Sequence, residues 1–304
     1  MAGFSKPLGR ARVAAGQGRR FWGKHDLEDR SSGASSLIVV IAGHKRALSA
    51  YTLPRIARAV PLDDTDVCLV TPGVDSAELR GLAREYGWSY LSTVNGHVSL
   101  AQNLAIRAHP RASFIHKIDE DVFVAPGFFS ALRAGHDRVK AEAEFLVGFA
   151  APTLNVNGYS YVDYLRALGL EDEWRERFGD PRRAADGIPA QVDGEAAVFL
   201  WRHGHPVDAV AERFAERPFG YGIVPHRFSI GAIGFDRDLW ADMNGFKRTE
   251  PAPGLGEDEQ AICVRCLERS RIMAVIGNLY AGHFSFGPQT DAMMRAFGDR
   301  LESF

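Results

Sequence analysis

Two carboxylates, Asp119 and Asp121, stand two residues apart at the end of the apolar run 112–118. Side chains of a strand alternate between its faces, so both carboxylates point the same way if the strand continues through them. Like charges on one face repel unless a cation lies between them, and carboxylates suit Mg²⁺ or Mn²⁺ that also binds substrate phosphates. A solvated turn at a strand end explains a bare Asp-x-Asp equally well, so the surrounding elements must decide.

The elements around this acidic pair alternate between strand and helix. Apolar, β-branched runs predict strands at 36–42, 66–71, 88–94 and 114–118, separated by helices at 48–60, 76–84 and 99–108. Units of this length indicate a mostly parallel sheet with helices on both faces. Such sheets bind ligands beyond the carboxyl ends of their strands, where the acidic pair stands.

Composition excludes several classes of function. The chain has 304 residues, of which 46% are hydrophobic and 24% charged, with a formal net charge of -2. This is typical of a soluble globular protein and gives no basic excess for nucleic acid. The apolar stretches are far shorter than the roughly 20 residues that span a bilayer. Three cysteines, at 68, 263 and 266, cannot all pair, which favours a reducing cytoplasm.

Two segments differ from the strand–helix pattern. Residues 1–35 are rich in Gly, Arg, Lys and Ser, which predicts a poorly ordered basic tail. The functional alternative is a weak peripheral contact with an anionic membrane surface.

The second segment, residues 151–227, is unusually aromatic, and its sequence predicts helices at 161–168, 171–178, 195–203 and 207–216. Most of these aromatic residues are expected to form the core of an inserted subdomain, although an acceptor surface is an alternative use.

The loop after the first long strand carries basic side chains. It reads Gly43-His44-Lys45-Arg46, and neither a dinucleotide-binding Gly-x-Gly-x-x-Gly nor a phosphate-binding Gly-x-x-x-x-Gly-Lys-Ser/Thr occurs. These side chains either face a diphosphate or form a solvated loop.

Several motifs occur together in a recognisable order. The first half contains Asn95-Gly96, Ala101-Gln102-Asn103 and Lys117-Ile118-Asp119-Glu120-Asp121; the second contains Gly231 to Trp240, Asn244-Gly245-Phe246, Gly254 to Gln260 and Gly282-His283-Phe284. Over about 36–150 and 226–287 this order resembles the GT-A glycosyltransferases, close to their inverting, Asp-x-Asp-containing family 2.

The resemblance implies a GT-A-like three-layer α/β/α sandwich with a mostly parallel central sheet and a helical insertion. Its parts would be a nucleotide-sugar-binding half at 36–150, an acceptor-side insertion at 151–227 and a catalytic half at 228–304. The implied reaction transfers a sugar from a nucleoside-diphosphate donor, UDP-linked in our prediction, to a hydroxyl acceptor with inversion, using Mn²⁺ or Mg²⁺. A cation neutralises the leaving phosphate, and a base takes the proton of the acceptor.

The resemblance also implies roles for individual residues. Asp121 and His283 would bind the metal, with Asp119 in the metal shell or on the ribose. Asp258 would be the general base, flanked by Glu257, although acids at a helix start also suit the helix dipole. The predicted nucleotide contacts are Ala42, His44, Arg46, Asp75, Asn95, Asn103, Asp119 and Glu120.

Two departures from the family pattern affect these roles. The second strand ends in 71–76 without paired aspartates, which makes Asp75 the candidate for the nucleobase, and Gln102 replaces the usual Arg. The competing interpretations are a retaining transferase, a sugar nucleotidyltransferase, and a non-catalytic glycan-binding relative.

Overall fold

The computed structural model describes residues 24–61, 63–248 and 256–304. Its centre is a ten-stranded sheet in the order β1-β4-β3-β2-β5-β9-β7-β10-β6, with β8 beside β10. The strands are β1 His25–Glu28, β2 Ser36–Ile41, β3 Thr65–Pro72, β4 Ser89–Thr93, β5 Phe114–Asp119, β6 Val122–Phe123, β7 Val147–Leu154, β8 Tyr221–Ile223, β9 Ala232–Asp236 and β10 Ile272–His283.

Most strands of this sheet run in one direction. β2 pairs in parallel with β3 and β5, β3 with β4, and β7 with β10. β9 lies antiparallel between β5 and β7, so β7 and β10 also point the same way as β5. The predicted α/β fold with a mostly parallel central sheet is therefore confirmed, and the carboxyl ends of β2, β5 and β10 meet at one edge.

Helices cover the sheet on both sides. They are α1 Arg46–Ala59, α2 Ala77–Glu85, α3 Val98–Ala108, α4 Phe128–Glu142, α5 Tyr161–Leu168, α6 Glu171–Phe178, α7 Pro189–Val192, α8 Gly194–His203, α9 Val207–Ala215, α10 Arg237–Asp242, α11 Glu257–Glu268 and α12 Thr290–Phe297. Alternate residues of β2 pack into two separate cores, one with α3 and α11 and the other with α1 and α4. This alternation explains why the β2 sequence is apolar throughout.

The inserted helices α5 to α9 enclose a third core. Trp174, Trp201 and Phe199 are among its fully buried side chains, so aromatic residues of the insertion mainly pack against one another. Trp201 also donates a hydrogen bond from Nε1 to the backbone oxygen of His283, at 2.6 Å. The insertion thus supports the end of β10 instead of presenting these rings to a ligand.

The predicted tail at 1–35 ends earlier than expected. Residues 25–28 form β1, which pairs antiparallel with β4, and the backbone amides of Ser32 and Ala34 donate to the Asp66 carboxylate. A buried carboxylate that accepts several backbone N–H groups orders the segment that donates them. Residues 1–23 and the glycine-rich approach at 253–255 lie outside the described part of the chain.

The three cysteines lie inside the protein. Cys68, Cys263 and Cys266 are buried and unpaired, and burial raises the pKa of the Cys266 thiol to about 12. Such thiols pack as small apolar side chains. None of the described helices is long and apolar enough to cross a bilayer.

Candidate active site

The carboxyl ends of β2, β5 and β10 open onto a cavity of about 380 Å³. Asp119, Asp121, Asp258 and His283 all line it, as the sequence predicts. β10 pairs with β6 so that His283 lies opposite Val122, which places the histidine beside Asp121. The first turn of α11 brings Asp258 to the same cavity.

Asp121 and His283 form a close pair. Asp121 Oδ2 lies 3.3 Å from His283 Nε2, and His283 Nδ1 lies 2.7 Å from the backbone oxygen of Val156. The backbone N–H of His283 donates to Asn155 Oδ1 at 2.8 Å. A histidine whose Nδ1 donates to a carbonyl presents Nε2 as its metal-binding atom, so this orientation suits a ligand.

Positive groups surround the Asp121 carboxylate. Burial alone would raise its pKa, but His283 and Lys45 outweigh burial and hold the pKa of Asp121 well below its usual range. The Lys45 ammonium is hydrogen-bonded to Asp121 Oδ2 and lies 3.4 Å from the backbone oxygen of Ser285. Burial likewise opposes protonation of His283, yet Asp121 raises its pKa. Asp121 is therefore ionised and placed to attract cations.

The residues fit a metal ion only if the substrate supplies most of its ligands. Within the described ranges no group of three His, Cys, Asp or Glu side chains could hold an ion. The predicted three-ligand set is incomplete because Asp119 turns to the ammonium of Lys117, 2.6 Å away. Asp121 and His283 remain as one oxygen and one nitrogen ligand, which suits Mn²⁺ or Mg²⁺ completed by phosphate oxygens and water.

Lys117 is a site residue that sequence reasoning missed. Its side chain is 3% exposed, and Nζ lies 2.6 Å from Asp119 Oδ2, 3.1 Å from the Ile230 oxygen and 3.6 Å from Asp258 Oδ2. Burial disfavours the charged amine, but the neighbouring carboxylates raise the pKa of Lys117 above its ordinary value. The available signal was a lysine inside an otherwise apolar strand.

Asp119 lies between opposing influences. Burial raises the pKa of its carboxyl to about 7, with Asp121 and Asp258 adding to the effect and Lys117 opposing it. The pKa of a carboxyl group in such a position changes with any charge added to the cavity.

The three acids at the start of α11 have different surroundings. Glu257 accepts a hydrogen bond from the Ser99 amide at 3.0 Å and does not line the cavity, so the structure does not bring it to the site with Asp258 and its catalytic role stays a prediction. Glu259 accepts from the amides of Gly256 at 2.6 Å and Ile230 at 2.8 Å. Glu259 also lines the cavity, but both of its oxygens accept from backbone amides, whereas Oδ1 of Asp258 has no protein donor among the described residues.

Asp258 is held by a second missed residue. Gln102 of α3 donates from Nε2 to Asp258 Oδ2 at 2.7 Å, and its side chain is buried. The signal was present in the sequence, because Gln102 occupies the place where the resembling family has Arg.

Glu120 organises the loop after β2. Its carboxylate accepts from the backbone amides of Gly43 at 2.9 Å, His44 at 2.7 Å and Lys45 at 2.6 Å, and from the hydroxyl of Ser49. These donors would otherwise be available to a phosphate. Glu120 also lines the cavity, so its nucleotide contact stays a prediction, although its carboxylate is engaged with the loop that carries His44 and Lys45.

Asn103 is also engaged within the protein. Its Nδ2 donates to the Phe246 oxygen at 2.7 Å, while Oδ1 accepts from the Phe246 amide at 2.9 Å and from Trp240 Nε1 at 2.7 Å. Both ends of the amide are used within the protein and the side chain does not line the cavity, so its contact with the nucleotide stays a prediction. The motif Asn244-Gly245-Phe246 is instead tied to α3 through this side chain.

The other predicted nucleotide contacts are only partly brought together. His44 lines the cavity and its Nε2 lies 3.0 Å from the Pro72 oxygen. Four others do not line the cavity: Ala42, Arg46, Asp75 and Asn95. Asp75 pairs with Arg80, and Asn95 Oδ1 accepts from the His97 amide. Their roles as nucleotide contacts remain predictions.

Comparison with known proteins gives similarity of structure only. No family model matches the chain, and no curated protein matches it. Among solved structures, S. aureus TarS 1-349 is 11% identical with a TM-score of 0.47, covering 86% of this chain and 63% of that one. The mannosyltransferase PcManGT from Pyrobaculum calidifontis, solved with GDP-Man and Mn²⁺, is 12% identical with a TM-score of 0.46, covering 90% and 64%. This chain thus spans less than two thirds of each.

Proposed function

We propose that this protein is a glycosyltransferase that moves a sugar from a nucleoside-diphosphate donor, a UDP-sugar, to a hydroxyl acceptor with inversion. One observation carries the proposal. A metal-suited pair, Asp121 and His283, and a separate carboxylate, Asp258, open onto the same cavity at the carboxyl ends of parallel strands. This is where sheets of this kind bind their ligands.

The donor side of the cavity must stabilise negative charge. Breaking the bond between the anomeric carbon and the diphosphate leaves charge on the phosphates, and bound Mn²⁺ or Mg²⁺ would neutralise it as a Lewis acid. Asp121 and His283 would hold the ion. Lys45 and His44 line the same cavity and would bind phosphate oxygens.

The acceptor side must remove a proton. An inverting displacement needs a base on the face of the sugar opposite the leaving group. Asp258 comes from α11, whereas Asp121 follows β5, and the Lys117–Asp119 ion pair lies next to Asp258. We assign Asp258 as the group that accepts the proton of the hydroxyl.

A thermal-shift panel of nucleotide sugars, each with and without Mn²⁺, tests the donor side. A ligand that binds only the folded state raises its melting temperature, so we expect one UDP-sugar to do so in a metal-dependent manner. Failure of every nucleotide sugar would contradict the proposal. Stabilisation by a glycan without nucleotide or metal would favour the non-catalytic alternative.

The stereochemistry of the product tests the mechanism. With the donor identified, NMR of the glycoside formed on a panel of hydroxyl acceptors should show the inverted anomer. A retained anomer would reject inversion and the base role of Asp258 while leaving sugar transfer itself in place.

A further inference from the structure

We infer that Gln102 is a positioning residue for Asp258: it fixes Oδ2 and leaves Oδ1 as the atom that accepts the proton. This inference rests on the proposed function and deepens it. In the step, the acceptor O–H gives its proton to Oδ1 and its oxygen bonds to the anomeric carbon. The bond from that carbon to the diphosphate breaks, and its electron pair leaves with the diphosphate.

The two oxygens of Asp258 have different surroundings. Oδ2 accepts from Gln102 Nε2 at 2.7 Å and lies 3.6 Å from Lys117 Nζ. Among the described residues no donor is bonded to Oδ1. A carboxylate held through one oxygen cannot rotate freely, so its other oxygen keeps a fixed direction.

A glycine makes room at the second oxygen. A Cβ on Gly256 would approach Asp258 Oδ1 to 2.9 Å, which is closer than ordinary contacts allow. The side chain of Asp258 is 6% exposed and lines the cavity, and we place the acceptor hydroxyl at this oxygen. The absence of a side chain at Gly256 therefore leaves space beside Oδ1.

The contact between Gln102 and Asp258 is one of the hydrogen bonds that join helices α3 and α11. The start of α3 and the start of α11 are joined twice, by Ser99 to Glu257 at 3.0 Å and by Gln102 to Asp258 one turn later. Gln102 is 1% exposed, so little solvent competes for its amide. This buried placement gives the amide hydrogen bond a defined geometry.

The neutral amide also matters for charge. A guanidinium at this position would put a second full positive charge next to Lys117. That charge would stabilise the ionised carboxylate and oppose its protonation. Gln102 orients the carboxylate without that charge. A neutral donor therefore suits a carboxylate that must accept a proton.

Three substitutions of similar shape test the inference. Gln102→Met removes the donor, and Gln102→Glu places a second carboxylate on Oδ2. We expect Gln102→Met to lower kcat on the order of tenfold to a hundredfold, and Gln102→Glu to lower it further, with donor KM and calorimetric donor affinity unchanged. Gln191→Met is the matched control: its Nε2 donates to the Ala185 oxygen in the insertion, and kcat should not change.

The outcomes separate the inference from the proposed function. If the wild type transfers sugar but both variants at Gln102 keep kcat within about twofold, or lose it only through donor KM, Gln102 has no positioning role. If Gln102 only fills space, Gln102→Glu should lower kcat no more than Gln102→Met does. The loss of kcat should then follow the loss in melting temperature. If Gln102→Met does not fold, Gln102→Glu gives the same decision. A wild type that binds donor but transfers no sugar to any acceptor contradicts the proposed function itself.

Discussion

Replacing Lys117 by Met should destabilise the protein strongly. Lys117 is 3% exposed, and its ammonium lies 2.6 Å from Asp119 and 3.6 Å from Asp258. It also donates to the Ile230 oxygen at 3.1 Å. Methionine fills similar space but provides neither the charge nor the three N–H donors.

The expected loss follows from these contacts. Removing one partner of a buried ion pair costs about 3–5 kcal/mol, and an unpaired buried acceptor adds about 1–3 kcal/mol. Asp119 is 29% exposed, so water compensates part of its lost partner. We therefore expect the free energy of unfolding to fall by about 4 kcal/mol, the lower end of the two contributions together.

Urea unfolding measures this loss, and a second substitution tests its cause. At about pH 9, where Asp119 is ionised in spite of its raised pKa, the double variant Lys117→Met, Asp119→Asn removes the stranded charge and should recover at least about half of the lost stability. Lys140→Met is the control, since Lys140 pairs with Asp236 at 2.6 Å on the surface and should cost about 0–1 kcal/mol. A loss at Lys117 no larger than at Lys140, or no recovery in the double variant, would refute this account of the network.

Further substitutions test the site and the core. Asp121→Ala should weaken Mn²⁺-dependent UDP binding on the order of a hundredfold by calorimetry, and unchanged affinity would remove Asp121 from the metal site. Asp258→Asn should preserve donor affinity but lower kcat by about 10²–10⁴, so near-normal turnover would reject it as the base. Gly256→Ala should lower kcat with little change in donor KM, because its Cβ would crowd Asp258 Oδ1; normal kcat would show that this oxygen is not used. Burial lowers the pKa of His116 to about 3, so the unfolded state binds the extra proton and stability should fall as the pH drops from about 6.5 towards 3. His116→Leu should flatten the urea-unfolding stability curve over that range, and an unchanged slope would contradict this assignment.

Local pattern predicted the framework that positions the site. The alternation of β2 between two cores and the apolar run before Asp119 are properties of consecutive residues, so they can be read along the chain. The convergence of Asp119, Asp121, Asp258 and His283 was also foreseen. Strand ends in a mostly parallel sheet share one edge, and the order of motifs placed the later residues at that edge.

Hydrogen-bond partners were not predictable in the same way. The acid Glu120 lies inside the motif but binds amides of the loop at 43–45, which is 75–77 positions away. Asn103 binds Phe246, 143 positions away, and the Ser99 amide binds Glu257, 158 positions away. The resemblance implies a nucleotide contact for Glu120 and Asn103 and a catalytic role for Glu257, and each of these side chains is bonded to a remote backbone group.

The sequence by itself determined the strands and helices that lead to the acidic pair, though not β1, and it determined which side chains are chemically able to act. Only the tertiary structure decided which of those side chains remain available. A carboxylate or amide satisfied by backbone donors is withdrawn from chemistry, and those donors come from distant parts of the chain. For this reason Glu257, Asp258 and Glu259 are alike in sequence, yet Asp258 alone of the three both lines the cavity and keeps an oxygen without a protein donor among the described residues.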